Sequence, residues 1–145
     1  TDDGTMELIL ALMCDEARTT SEGKLDVRGV FNDLFASGFP ARRDEMVLVA
    51  GLEWDREDEG RFSFKVDLVE PSGRPILTLD GHTDVDKRTA DRPPARTWLI
   101  MPLRDVVFRA PGLHRLTVRV KGKEMTGAAL HVIQSADASA TAGKT

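Results

Sequence analysis

The sequence predicts an all-β protein, an antiparallel immunoglobulin-like β-sandwich of about eight strands. Apolar and polar residues alternate in short blocks, which is the period of a strand with one buried face. Turn-forming residues separate these blocks at intervals of roughly 8–15 residues, and no regular alternation of strands with long helical segments is present. The length of 145 residues suits one domain. We predict a sandwich domain over residues 1–134 and a low-complexity tail over residues 135–145.

Two blocks in the first part of the chain are almost wholly apolar, at residues 6–14 and 45–54. The first is expected to form a strand covered on both faces, and the second carries apolar residues on each of its two faces. Residues 24–31 and 61–70 alternate instead, so each is expected to bury one face and expose the other. In the second of these the inward positions are Phe62, Phe64, Val66 and Leu68.

The second half of the chain predicts four further strands. Pro71-Ser72-Gly73-Arg74 is a strong β-turn signal, so residues 76–80 are expected to pair back on the preceding strand as a hairpin. Residues 97–103 form the next strand, and Pro102 near its end suits a sheet edge or a bulge. The last two strands are predicted at 112–120 and 126–133, joined by a turn at Lys121-Gly122-Lys123.

The segments between the strands are polar or short. Residues 82–96 carry Pro93 and Pro94 and predict a loop. Residues 32–37 are the one helix candidate, too short to organise the fold. The two tryptophans, Trp54 and Trp98, are expected to fill the core or its rim.

Composition excludes several classes of protein. Hydrophobic residues make up 41% and charged residues 30%, which is ordinary for a globular domain. The net charge of −4 gives no reason to expect nucleic acid or anionic lipid as a partner. Cys14 is the single cysteine, which excludes an internal disulfide framework and a cysteine-based zinc site. We expect no cofactor.

A cytoplasmic location is expected from three features. No run approaches the ~20 apolar residues of a membrane span. Acidic residues, Asp2, Asp3 and Glu7, precede the apolar run 8–14, whereas a secretory signal has a positive flank there. A free thiol agrees with a reducing compartment. Proximity to a membrane is therefore expected only through a partner complex.

Several short motifs resemble those of a known group of proteins. They are residues 10–15 (LALMCD), 23–25 (GKL), 29–32 (GVFN), 39–40 (FP) and 111–115 (PGLHR). This pattern resembles a family of small bacterial β-sandwich proteins of uncharacterised function, mainly over the first half of the chain. The family pattern prefers Asp where this chain has Asn32. The resemblance implies a fold but no chemistry, and no functional residue is carried over.

Cysteine and histidine residues are weak candidates for chemistry. Asp15 follows Cys14, and a neighbouring carboxylate raises a thiol pKa and lowers its reactivity. We therefore expect a buried structural cysteine. His82, His114 and His131 show no i, i+2 or i, i+4 pair, so a metal site would need long-range convergence. His131 lies between apolar residues of the last strand and is expected to point outward.

Acidic runs at 55–59 and 84–86 suggest a second kind of site. Sandwich loops can bind calcium through oxygen ligands, but four basic residues interleave with these runs and neutralise them. They are Arg56, Arg61, Lys87 and Arg88. A solvated hairpin tip is the preferred interpretation, and we predict no metal site.

Arginine is favoured at interfaces because its planar fork binds carboxylates in pairs. The tail beyond residue 134 has no large apolar side chain and is expected to be ordered only by a partner. The candidate partner contacts are Arg42, Arg43, Arg92, Arg96, Ser135, Thr141 and Lys144.

Three functions follow as hypotheses. The first is a non-catalytic binding or scaffolding subunit of a bacterial assembly, including one on the cytoplasmic face of a photosynthetic or respiratory membrane complex. The second is a small-ligand-binding sandwich with loops 32–44 and 82–96 as its mouth. The third is an enzyme whose residues converge from distant strands. No nucleophile elbow, phosphate loop or zinc-protease motif supports it, so we expect no enzyme.

Overall fold

The structure is a computed structural model, and it describes residues 6–135. Ten strands and no helix make up the regular secondary structure of this part of the chain. The strands are β1 (Glu7–Cys14), β2 (Glu16–Thr19), β3 (Leu25–Arg28), β4 (Asp33–Ala36), β5 (Ala41–Glu53), β6 (Gly60–Val69), β7 (Pro75–Val85), β8 (Arg96–Phe108), β9 (Gly112–Val120) and β10 (Lys123–Gln134). The all-β prediction is confirmed, and the predicted number of about eight strands is too low.

The strands form three sheets. The largest has the order β4-β10-β9-β6-β7, the second has the order β1-β5-β8, and β2 and β3 form a separate hairpin. All neighbouring pairs are antiparallel except β4 and β10, which run parallel. The predicted hairpin of β6 and β7 is confirmed, whereas the prediction of purely antiparallel pairing is wrong at β4.

The predicted helix over residues 32–37 is wrong, because this segment contains β4. Its backbone bonds come from β10, about a hundred residues away in sequence. The amide of His131 donates to the Asn32 carbonyl, and the amide of Ser135 donates to the Ala36 carbonyl, both at 2.9 Å. Pairing between distant segments overrides a weak local preference.

Several strands extend beyond their predicted ends, among them β5 and β7. β7 continues to Val85 because it stays paired with β6 as far as Gly60. β5 begins at Ala41, which pairs with Phe108 at the end of β8. The predicted loop 82–96 therefore shrinks to residues 86–95. These added lengths are rich in polar residues, so the apolar alternation did not mark them.

The two larger sheets face each other across one apolar core. Alternate residues of β5 supply one side, among them Met46, Leu48 and Leu52. The other side comes from β6, β9 and β10. Trp54 is buried there, stacks on Phe62 at 4.8 Å and donates a hydrogen bond to the Thr97 hydroxyl at 2.8 Å.

The opposite face of β5 forms a second, smaller core. Cys14, Val47 and Val49 are buried there, and the β2–β3 hairpin packs on them through Ala17, Leu25 and Val27. This arrangement covers β1 on both faces, as predicted, and it covers β5 on both faces as well. It also explains the polar sequence of β2, because this short strand covers the sheet through Ala17 and exposes its other side chains to solvent.

Candidate protein-docking cleft

One side of the two facing sheets is open. β1 pairs with β5 only from Val47 onward, so within residues 6–135 no strand pairs with residues 41–46 of β5 on that side. β4 stands at the end of the five-stranded sheet and pairs with β10 alone. A cleft of about 620 Å³ lies between these two strands. It is lined by Leu34, Phe35, Ala36, Ser37, Gly38, Pro40, Ala41, Arg42, Arg43, Asp44, Glu45, Phe108 and Val132.

Within residues 6–135, the open edge of β4 presents backbone groups that pair with no other strand. The carbonyls of Asn32 and Ala36 point toward β10, where they accept its hydrogen bonds. Backbone groups of successive residues in a strand point to alternate sides. The N–H and C=O groups of Asp33 and Phe35 therefore point away from β10 toward the cleft. An unpaired edge of this kind is a template for another strand.

The facing edge of β5 is closed by a side chain. Nε of Arg43 donates to the carbonyl of Glu45 at 3.2 Å, and Nη2 donates to the Asp15 carboxylate at 3.0 Å. The same guanidinium lies 4.6 Å over the ring of Phe31. The Arg43 side chain is only 9% exposed. Arg43 thus protects this edge, whereas no side chain plays that part at β4 within residues 6–135.

The floor of the cleft is apolar. Leu34, Phe108 and Val132 are buried members of the main core. Phe108 also meets the ring of His114 edge-on, with ring centres 5.3 Å apart. An apolar floor beside unpaired backbone groups favours a ligand that has both a backbone and apolar side chains.

His114 is fully buried below this floor. Its Nδ1 lies 3.1 Å from the Gly112 carbonyl, so Nδ1 carries the proton and Nε2 is an acceptor. Nε2 is buried without a hydrogen-bond partner among the described residues. Burial lowers the pKa of His114, against smaller opposing effects of the Gly112 hydrogen bond and the Glu70 charge. This histidine is a neutral packing residue of the core.

The Cys14 thiol is buried, as predicted, and donates to the Glu16 carbonyl at 3.3 Å. Burial and then the charge of Asp15 raise its pKa, and the bond to Glu16 opposes them. A raised pKa leaves little thiolate, which is the nucleophilic form, so the environment of Cys14 disfavours thiol chemistry.

The remaining candidates for chemistry are dispersed. His82 and His131 are exposed on different strands, and His131 points outward as predicted. No group of three His, Cys, Asp or Glu side chains within residues 6–135 is placed to hold a metal ion. In the run 55–59, Asp58 accepts from the Asp55 amide at 3.0 Å and pairs with Lys121 at 2.6 Å. The Asp58 carboxylate therefore stabilises the loop 55–59 and its contact with Lys121.

Arg42 and Arg43, two of the predicted partner contacts, line the cleft, and a third, Ser135, lies beside it at the end of β4. Arg42 is on its rim, 63% exposed, at 3.4 Å from Asp44 and 3.6 Å from Asp105. Ser135 is bonded to the last residue of β4. Arg43 lines the cleft but is held by Asp15. Thr141 and Lys144 fall outside residues 6–135.

The other two predicted contacts lie elsewhere. Arg96 pairs with Glu53 at 3.0 Å, and the Arg92 carbonyl accepts from Arg56. The register of β5 with β8 runs from Ala41 at one end to Glu53 at the other. Thirteen residues of strand put these ends roughly 40 Å apart. Loops 32–44 and 82–96 therefore do not form a common mouth, which corrects that part of the ligand-binding hypothesis.

No local signal in the sequence marks the edge of β4. Its four residues, DLFA, are too few to show a period. Two features of the sequence do mark the region, namely Phe35 and Ile133, which are cross-strand neighbours and remain exposed. In the sequence alone neither residue stands out, because only the pairing of β4 with β10 places the two exposed apolar side chains next to each other.

Comparison with known proteins identifies a family for this chain. A model described as a family of unknown function (DUF6941) matches residues 9–133. No curated protein matches. A similar solved structure is the Pseudomonas fluorescens alkylpurine DNA glycosylase AlkC bound to DNA with an abasic site analog, at 12% identity and a TM-score of 0.39. The match covers 85% of this chain but 30% of that one. Within residues 6–135, no helix is long and apolar enough to span a membrane.

Proposed function

This chain belongs to the family of unknown function DUF6941, and we propose that it is a non-catalytic docking subunit. It binds an extended segment of a partner protein along the open edge of β4. One observation carries the proposal: the backbone groups of Asp33 and Phe35 point into a cleft whose floor is apolar. Strand addition uses these features, since the backbone supplies affinity and alternate side chains supply specificity.

The cleft suits an extended chain better than a small molecule. A small-ligand site is a concave apolar pocket in which a few polar groups converge. Here the charged lining residues sit on one wall, from Arg42 to Glu45, and the opposite wall is a bare strand edge. In this proposal Arg42 and Ser135 flank the bound segment, at the rim and at the end of β4.

The partner is proposed to be a protein of a larger assembly in the cytoplasm. The partner belongs to a bacterial assembly, including one at the cytoplasmic face of a membrane complex such as a photosynthetic or respiratory one. The free, buried thiol of Cys14 agrees with the reducing conditions of the cytoplasm. We also propose an immunoglobulin-like sandwich as the architecture, supported by two sheets that enclose one core.

Photo-crosslinking in the native cells tests this function. Phe35 is replaced by a photo-reactive phenylalanine analogue in the full chain, and the matched control carries the analogue at His82. Both positions carry an exposed ring, but His82 lies on β7, at the opposite end of the five-stranded sheet from β4. We expect a discrete adduct from position 35, with the crosslink mapping to a partner segment of alternating pattern, and none from position 82. Equal or absent crosslinking at the two positions would contradict the proposal.

A further inference from the structure

Resting on the proposed docking function, we infer that the partner segment is basic. It carries a lysine or arginine at the position opposite Asp33 and small or apolar side chains at the positions that face the cleft floor. We draw it from carboxylates along the open edge that no basic residue among residues 6–135 compensates.

Asp33 is the first of these carboxylates. It lies on the open edge strand, its side chain is exposed, and it forms no ion pair within residues 6–135. Its neighbour on β10 is His131. Opposite charges at directly facing positions of two strands stabilise the pairing, whereas like charges oppose it. A strand added beside Asp33 therefore gains from a cation at the facing position.

The rim of the cleft has a further excess of acid. Asp44 is 81% exposed and Asp105 is 68% exposed, and both approach one arginine, Arg42. Arg42 compensates one of these two carboxylates. The charge of Arg43 does not compensate the other carboxylate, because Arg43 is paired with Asp15.

Glu45 adds nothing to this excess because it lies opposite Arg104 on β8. Asp33 and one rim carboxylate therefore remain unbalanced. A locally acidic edge attracts a basic segment and repels an acidic one.

The strand period fixes the other positions of the segment. Side chains of an added strand alternate between the two faces of the sheet. Those on the same face as Leu34 lie over Phe108 and Val132, which are buried and apolar. Those on the same face as Asp33 and Phe35 meet solvent. The expected pattern is therefore an apolar or small residue at every second position with a cation between.

Two peptide probes test this inference by NMR on the isotope-labelled full chain at low salt. Both are capped heptapeptides with valine at alternate positions, and the intervening residues are lysine in one and glutamate in the other. The Phe35 amide shift reports binding. We expect the lysine peptide to bind about two- to fivefold more tightly. The preference should reverse in Asp33→Lys and persist in Asp86→Lys, which makes the same charge change at an exposed residue of loop 86–95.

The outcomes separate this inference from the docking function. Equal affinity of the two peptides for the native chain, with a shifted Phe35 amide, would overturn the basic segment and leave strand docking intact. No shift of Phe35 with either peptide would overturn both. A Phe35 amide that is already protected from exchange in the chain alone would also overturn both, because the chain would then cover its own edge.

Discussion

Phe108 and His114 form one packing unit, with ring centres 5.3 Å apart and ring planes at 80°. This edge-on contact connects the floor of the cleft to a fully buried histidine at the start of β9. Aromatic pairs in this geometry add about 0.5–1.5 kcal/mol beyond the area that they bury. The shape of the cleft therefore depends on a titratable group that is out of reach of solvent.

Stability should fall in mild acid because of His114. Burial holds the pKa of His114 below the usual 6.5. Between the two pKa values the unfolded chain therefore binds a proton at this histidine and the folded chain does not. The free energy of unfolding therefore decreases as pH falls below 6.5 toward the lowered pKa. Urea unfolding between pH 7.5 and 5 measures this slope. His114→Leu should flatten it, and His82→Gln, at an exposed histidine, should not. An unchanged slope in His114→Leu would contradict the assignment.

Glu70 should titrate abnormally low because of its partners. The Ser72 hydroxyl donates to Glu70 at 2.7 Å, and Arg109 pairs with it at 3.2 Å. The hydrogen bond from Ser72, followed by the charge of Arg109, lowers the pKa of Glu70 below 4.5. The stability that this gives is present above pH 4.5 and is lost as pH falls through the lowered pKa.

Replacing Ser72 tests this origin of the low pKa of Glu70. NMR titration of the Glu70 carboxyl should show a higher pKa in Ser72→Ala. The control, Ser63→Ala, changes an exposed serine of β6 and should leave the Glu70 titration unchanged. A Glu70 pKa that does not move in Ser72→Ala would show that the hydroxyl is not the cause.

Trp54 should be the most costly core residue to truncate. It is 1% exposed, and its ring fills the core beside Phe62. Trp54→Ala leaves a large cavity and should cost about 3–5 kcal/mol in the free energy of unfolding. Thr97→Val removes the hydroxyl that accepts the indole hydrogen bond and should cost about 1–3 kcal/mol. Urea unfolding of the two variants checks both values, and a smaller loss in Trp54→Ala than in Thr97→Val would refute this ranking.

Gly51 leaves space for the ring of Trp98 on the outer face of β5. A Cβ atom there would lie 2.5 Å from the ring. Gly51→Ala should therefore displace the indole, change the tryptophan fluorescence and cost about 1–3 kcal/mol. Gly38→Ala is the control, since a Cβ at that position meets nothing within 4 Å. Equal stability and fluorescence in the two variants would show that the ring does not need this space.

The sequence predicted the strands in which apolar and polar residues alternate along a continuous segment. Arg61–Glu70 alternates, and β6 forms over Gly60–Val69 with Val66 and Leu68 in the core. The apolar blocks of β1 and β5 are covered on both faces, as their composition indicates. Local alternation suffices wherever a strand buries at least one full face.

The candidate site could not be predicted in the same way. It depends on the parallel pairing of β4 with β10 and on the early end of β1 at Cys14. Both are relationships between distant segments, and neither leaves a pattern in four residues of β4. The arginines that the sequence favoured as partner contacts are largely used within the chain, as Arg43 with Asp15 and Arg96 with Glu53 show.

Amide hydrogen exchange across β4 tests the docking account most directly. Leu34 and Ala36 face β10 and act as internal references, since their amides should be protected with or without a partner. We predict that the amides of Asp33 and Phe35 exchange fast in the free chain and slowly in the complex co-purified with its partner. Fast exchange of Phe35 in that complex, while Leu34 and Ala36 stay protected, would contradict strand addition at this edge.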